Sequence, residues 1–103
     1  MFFIIVKEID SQLEVTVIKN KIISFLIDKQ NEIDSYAYAI TQALDFFDNC
    51  EVSIFTSNIF VTNTIKEWMD TMREIHESWR MLFEKQQEKN IVLYAYTAYS
   101  NFL

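Results

Sequence analysis

Neither glycine nor proline occurs anywhere in the chain, although each ordinarily makes up about 5 to 7% of a protein. Without glycine no phosphate-cradling loop of the P-loop or dinucleotide-binding kind can be built, and no serine lies in a recognisable nucleophile turn. Turns must be made by residues that tolerate a left-handed backbone or cap a neighbouring amide, chiefly Asn, Asp and Ser. The candidates are Asp10-Ser11, Lys19-Asn20, Asp28 to Asn31, Asp48-Asn49 and Lys89-Asn90. Cys50 is the only cysteine, which excludes an intramolecular disulfide and any dependence on an oxidising compartment. No histidine or basic residue lies near it in sequence, so it reads as a small buried hydrophobe rather than a reactive thiol. His76 is the only histidine; with Glu77 it begins a zinc-protease pattern, but the second histidine would fall at Arg80. It therefore reads as a solvated or edge residue of a charged helix, and neither metal nor cofactor is expected.

Positive charge is scarce as well. Nine Lys and Arg against fifteen Asp and Glu give a formal charge of −6, which argues against direct nucleic-acid binding through a basic face. Long hydrophobic runs are missing too. The N-terminal MFFIIVKEID has six apolar residues before Lys7, too few for a signal-peptide core or a membrane span. We expect a buried strand there and a cytoplasmic protein.

Half of the 103 residues are hydrophobic and 23% are charged, as expected of a single folded domain over residues 1–103 with a full core. Phe2 to Ile9, Leu13 to Lys19 and Lys21 to Ile27 are short, β-branched and aromatic, and predict three strands in an antiparallel meander. From Ile33 the period changes: Ile33, Tyr36, Ala37, Ile40, Ala43, Leu44 and Phe47 follow helical spacing. Val52 to Thr56 predicts a fourth strand, apolar enough to be parallel and covered by helices. Val61, Ile65, Trp68, Met69 and Met72 form a second helical stripe, and Ile75, Trp79, Leu82 and Phe83 a third. Ile91 to Tyr99 predicts the fifth strand. The order is β-β-β-α-β-α-α-β, an α/β fold with a mixed five-stranded sheet.

That order resembles the ribonuclease H family, and two sequence blocks carry the resemblance further. ALDFFDNCEVSIFTSNIFVTNTIKEW, from Ala43 to Trp68, is similar to the family's helix ending in Ala-Leu-acid, its Cys-Glu-Val strand and the Val, Ile and Trp of the next helix. ESWRMLFEKQQEKNIVLYAYTAY is similar to the later helix, with Trp79 and Leu82 three apart, and the strand that follows. The resemblance implies a ribonuclease H-like sheet without the family's C-terminal helix, since the sequence stops at Leu103, and an uncovered apolar sheet face. It also implies where a two-magnesium site would need carboxylates. The fourth-strand acid is replaced by Ser57, the helix acid falls on Ser35 or Tyr36, and the last acid has no counterpart. Asp10 is the only survivor, with Glu8 or Asp34 near the same place. Glu74 and Glu77 interrupt Arg73 and Arg80 where the basic substrate-binding protrusion would lie.

The expectation is a catalytically inactive ribonuclease H-like domain, not an enzyme, that acts by protein binding. Its size, acidity and missing site suit a viral or mobile-element inhibitor of a host nucleic-acid-handling complex. The alternatives are a residual metal-dependent nuclease centred on Asp10, or a structural subunit of a larger assembly. The partner-binding candidates are the acids Glu32, Asp34, Asp45, Asp48 and Glu51, which share a segment free of Lys and Arg, and the tyrosines Tyr94, Tyr96 and Tyr99. The acids could fit a basic groove; their plainer reading is the wet face of the first helix. The tyrosines lie on what should be an edge strand. A homodimer through the uncovered face is also expected. Trp68 and Trp79 read as core residues, and Ser57 as the N-cap of the second long helix.

Overall fold

The computed structural model describes residues 2–29, 32–73 and 77–98, without the side chains of Glu32 and Ile33. The strands are β1 (Phe3–Ile9), β2 (Gln12–Ile18), β3 (Ile22–Asp28), β4 (Glu51–Thr56) and β5 (Val92–Thr97). The helices are α1 (Glu32–Leu44), α2 (Ile59–Thr71) and α3 (Arg80–Glu88), the last entered through a 3₁₀ turn at Glu77–Trp79. They build a mixed α/β fold around one five-stranded sheet in the order β3-β2-β1-β4-β5. Strands β1 to β3 pair antiparallel, while β4 lies parallel to β1 and β5 parallel to β4. The expected element order is present. Ile75, His76, Glu74 and Tyr99 lie outside the described residues.

The topology places the helices. From β1 to β4, and again from β4 to β5, the chain crosses over to a parallel strand and moves in the same direction across the sheet. Right-handed crossovers therefore put their helices on the same face. One core results, in which Ile4, Val6, Leu13, Val15, Val17, Val52, Ile54, Leu93 and Ala95 meet Tyr36, Ile40 and Leu44 of α1, Val61, Ile65 and Trp68 of α2, and Leu82 and Phe83 of α3. Trp79 is fully buried and Trp68 nearly so, as their helical spacing predicts. Each such side chain contributes about 1.5–3 kcal/mol through burial. Cys50 is half-buried against this core.

Asn and Asp make the turns as expected. Asp10, Asn49 and Asn90 have positive φ (54°, 51° and 52°), the region where these side chains are best tolerated among non-glycine residues. Asn90 Nδ2 donates to Asn49 Oδ1 at 2.6 Å, and Asn49 N donates to the Lys89 carbonyl at 2.8 Å. The two left-handed turns thereby tie the start of β4 to the start of β5. Met72 is the unexpected member of the set. It closes α2 in the left-handed region at φ 56°, with its N–H bound to the Trp68 carbonyl, and is exposed rather than part of the buried stripe.

The strand β4 departs from expectation in one respect. Among the described residues it is covered on one face only: Val52, Ile54 and Thr56 are buried, while Ser53 and Phe55 on the other face are half-buried and Glu51 is exposed. No described helix packs on that second face.

Candidate functional site

The strand-to-helix junction after β4 is built by the residues on either side of Ser57, not by Ser57 itself. Asn58 is the N-cap of α2; its Oδ1 accepts from Val61 N at 3.2 Å, and Asn58 N donates to Thr56 Oγ1 at 3.2 Å. Ser57 is exposed, and its expected cap role is corrected by one position. Asn and Ser are comparable caps. The choice follows from where β4 ends, at the Thr56–Thr97 pair, which leaves one linking residue before the helix.

Asp10 is not brought to this junction. Val6 lies opposite Thr56 in the β1–β4 register, so Lys7 is the β1 residue level with Ser57. Asp10 lies farther on, exposed in the β1–β2 turn. Glu8 is engaged otherwise: Tyr36 Oη donates to its Oε1 at 2.8 Å, and Lys29 Nζ sits 3.1 Å from its Oε2. Among the described residues no group of three or more His, Cys, Asp or Glu could hold a metal ion.

The acidic candidates do not form one surface. Asp34 lies on the exposed stripe of α1 with Tyr38, whereas Asp45 is exposed in the turn just past the end of the helix, about 16 Å away along the axis. Asp45 is paired with Lys85 at 2.5 Å. Lys85 of α3 and Lys89, which caps it, also donate to the Thr41, Leu44 and Asp45 carbonyls, and Lys19 to that of Phe46. These lysines supply the basic cap that α1 lacks in its own last turn. Asp48 is exposed beyond the helix, and the Glu32 side chain lies outside the described residues.

Glu51, Tyr94 and Tyr96 do converge, on the open face of the sheet. The register sets Ser53 opposite Tyr94 and Phe55 opposite Tyr96, with Phe3 and Ile5 of β1 on the other side of β4. Phe3, Phe55 and Tyr96 form a ladder across three strands, with ring centroids 5.8 Å and 5.2 Å apart, the second pair stacked. Tyr94 Oη reaches Glu51 Oε1 at 3.4 Å. The Glu51 charge, with partial burial and this hydrogen bond, holds the phenol of Tyr94 above the usual tyrosine range. Phe2, Glu51, Ser53, Tyr94 and Tyr96 line a hollow of about 390 Å³. Around the edge of β5, the same tyrosines and α2 residues including Lys66, Met69 and Asp70 border a groove of about 720 Å³.

Phe3 and Phe55 escape a reading by sequence because β1 and β4 are apolar on both faces, which hides the alternation that separates them. The signal is present in retrospect: Phe3, Phe55, Tyr94 and Tyr96 all occupy alternate positions of their strands. Neither a protein-family model nor a curated protein matches the chain.

Proposed function

We propose that this is a ribonuclease H-like domain that works by binding another protein rather than by catalysis. The strand order β3-β2-β1-β4-β5, with β1, β4 and β5 mutually parallel, supports the fold reading. The observation that carries the binding reading is the aromatic ladder Phe3–Phe55–Tyr96 on a sheet face that no described element covers. Aromatic side chains with exposed edges and a polar handle are enriched where proteins meet, and a contiguous apolar patch marks such a site. Glu51 beside the ladder and the net charge of −6 favour a partner with a basic surface, since complementary fields steer association. In this reading the protein is an inhibitor that occupies the basic groove of a nucleic-acid-handling complex.

Capture of partners from an extract of the source cells tests this with two variants. Phe55→Ser with Tyr96→Ser should abolish capture while the far-ultraviolet circular dichroism stays unchanged. The triple change Asp34→Asn, Asp45→Asn and Asp48→Asn, which halves the net charge of −6, should slow association at low salt yet still permit capture. The opposite pattern, with capture lost only in the acidic variant, would move the interface to α1 and refute the assignment.

A further inference from the structure

The strand β3 closes one side of the sheet, and among the described residues the middle of its outer edge, from Ile22 to Ile27, carries none of the sequence features that ordinarily prevent edge pairing. It runs seven residues in unbroken register with β2, from Gln12–Asp28 to Ile18–Ile22, so no bulge turns it away. It contains no proline, and no charged residue lies between Lys21 and Asp28. Lysines, prolines, bulges and short length are the usual guards of an edge. Its side chains are instead apolar and open to solvent: Ile22 is 72% exposed and Leu26 55%, with Ile23 and the neighbouring Phe46 each at 37%. The opposite edge differs, because α2 runs beside β5 and lines its groove with Lys66, Glu67 and Asp70.

The unpaired backbone groups can be assigned. Lys29 N donates to the Ser11 carbonyl, continuing the β2–β3 register, so the odd-numbered residues of β3 direct their N–H and C=O groups at β2. Ile22, Ser24, Leu26 and Asp28 direct theirs outward, and their side chains lie on the open face opposite Ile18, Thr16, Glu14 and Gln12.

We propose that two copies of the chain pair antiparallel through β3, about a two-fold axis through Ser24, to form a continuous ten-stranded sheet. This inference stands apart from the proposed partner on the aromatic face. The axis must be normal to the sheet, so opposed residues share a face and the register has few choices. Centring on Phe25 would set Lys21 against Lys29 and Ile22 against Asp28. Centring on Leu26 would set Ile23 against Lys29 and Ser24 against Asp28. Centring on Ser24 matches Ile22 with Leu26 twice on the open face and Ile23 with Phe25 twice on the helix face, with Asn20 opposite Asp28 and Lys21 opposite Ile27 at the two ends; unlike the Phe25 register it opposes no like charges, and unlike the Leu26 register it sets the four central apolar residues against one another. Only Ser24 meets itself. The outward groups of Ile22, Ser24 and Leu26 then close about six main-chain hydrogen bonds.

A charge swap on the axis tests both the pairing and its register. Like charges directly opposite each other in a sheet are destabilising and opposite charges stabilising, and Ser24 is exposed in the monomer. Sedimentation equilibrium from about 1 µM to about 1 mM spans the affinities of small interfaces. The unsubstituted protein should dimerise within that range. Ser24→Lys and Ser24→Glu should each be monomeric throughout, and an equimolar mixture should dimerise at least as tightly as the unsubstituted chain. Recovery in the mixture shows that both variants are folded. A monomer at every concentration, a dimer that survives either single change, or a mixture that stays monomeric would each overturn the proposal. Phe55→Ser serves as the control, and loss of the dimer in that variant would place the contact on the open face instead.

Discussion

Replacing Gln86 by leucine probes how the edge strand that carries Tyr94 and Tyr96 is held against the helices. Gln86 is 7% exposed and joins three elements. Its Oε1 accepts from Trp68 Nε1 of α2 at 2.9 Å, and its Nε2 donates to the Ile91 carbonyl, just before β5, at 2.7 Å. Leucine keeps the approximate volume and removes both bonds. The Trp68 N–H and the Ile91 carbonyl then lose their partners at about 1–3 kcal/mol each, while the added apolar burial returns up to about 1.5 kcal/mol. The net loss is roughly 0.5 to 6 kcal/mol, which at its upper end is comparable to the 5–15 kcal/mol that a domain typically has. Urea unfolding followed by circular dichroism should show a midpoint lower by about 0.3–3 M at an m-value of about 2 kcal/mol/M. Trp68→Phe keeps the ring stacked on Phe83, whose centroid is 4.2 Å away, and removes only the donor side. Together the two changes should cost less than their sum by about 1 kcal/mol. A Gln86→Leu protein within about 0.5 kcal/mol of the parent, or strict additivity in the cycle, would refute the clamp.

Met72→Gly should raise stability by about 0.5–1 kcal/mol, because a side chain in the left-handed region is strained and glycine is not; an unchanged thermal midpoint would contradict this. The phenol of Tyr94 should titrate above the ordinary tyrosine value, and Glu51→Gln should lower it, as read from phenolate absorbance corrected with Tyr94→Phe. The sign for stability follows. Below about pH 10 the phenol is protonated in both states, and as pH rises from there through the folded pKa the unfolded chain releases its proton first, so stability falls. A Glu51→Gln protein with an unshifted titration would remove the cause assigned to Glu51.

How much was legible in the sequence depended on whether the deciding interaction was local. The turns at Asp10, Asn49 and Asn90 could be read because a chain without glycine must use such residues where φ is positive. The left-handed turn at Met72 could not, since it falls on a residue with no turn preference at the point where α2 ends. Ser57 and Asn58 are adjacent and equally able caps; only the end of β4 pairing selects between them. The pairing of Asp45 depends on Lys85, forty residues away in sequence, so one acid of a segment that reads as uniformly acidic is matched by a cation in the fold. Likewise the two apolar faces of β1 and β4 could be told apart only when every crossover helix fell on one side.

The open face and the β3 edge are one continuous surface, which links the two proposed contacts. Ile22, Ile18, Phe3, Ser53 and Tyr94 lie side by side across all five strands. A dimer paired at β3 about an axis normal to the sheet therefore shows both aromatic ladders on the same side. Seven strand spacings separate the two copies of β4, roughly 34 Å at about 4.8 Å each. A partner with two binding patches, or a groove of that length, would engage both copies, and the second contact would form at a high effective concentration. A small one-patch partner would gain nothing. The Ser24→Lys monomer should thus release a bivalent partner far faster than the parent does, yet hold an isolated one-patch fragment of that partner equally well. If both dissociate at the parent's rates, the dimer has no part in binding.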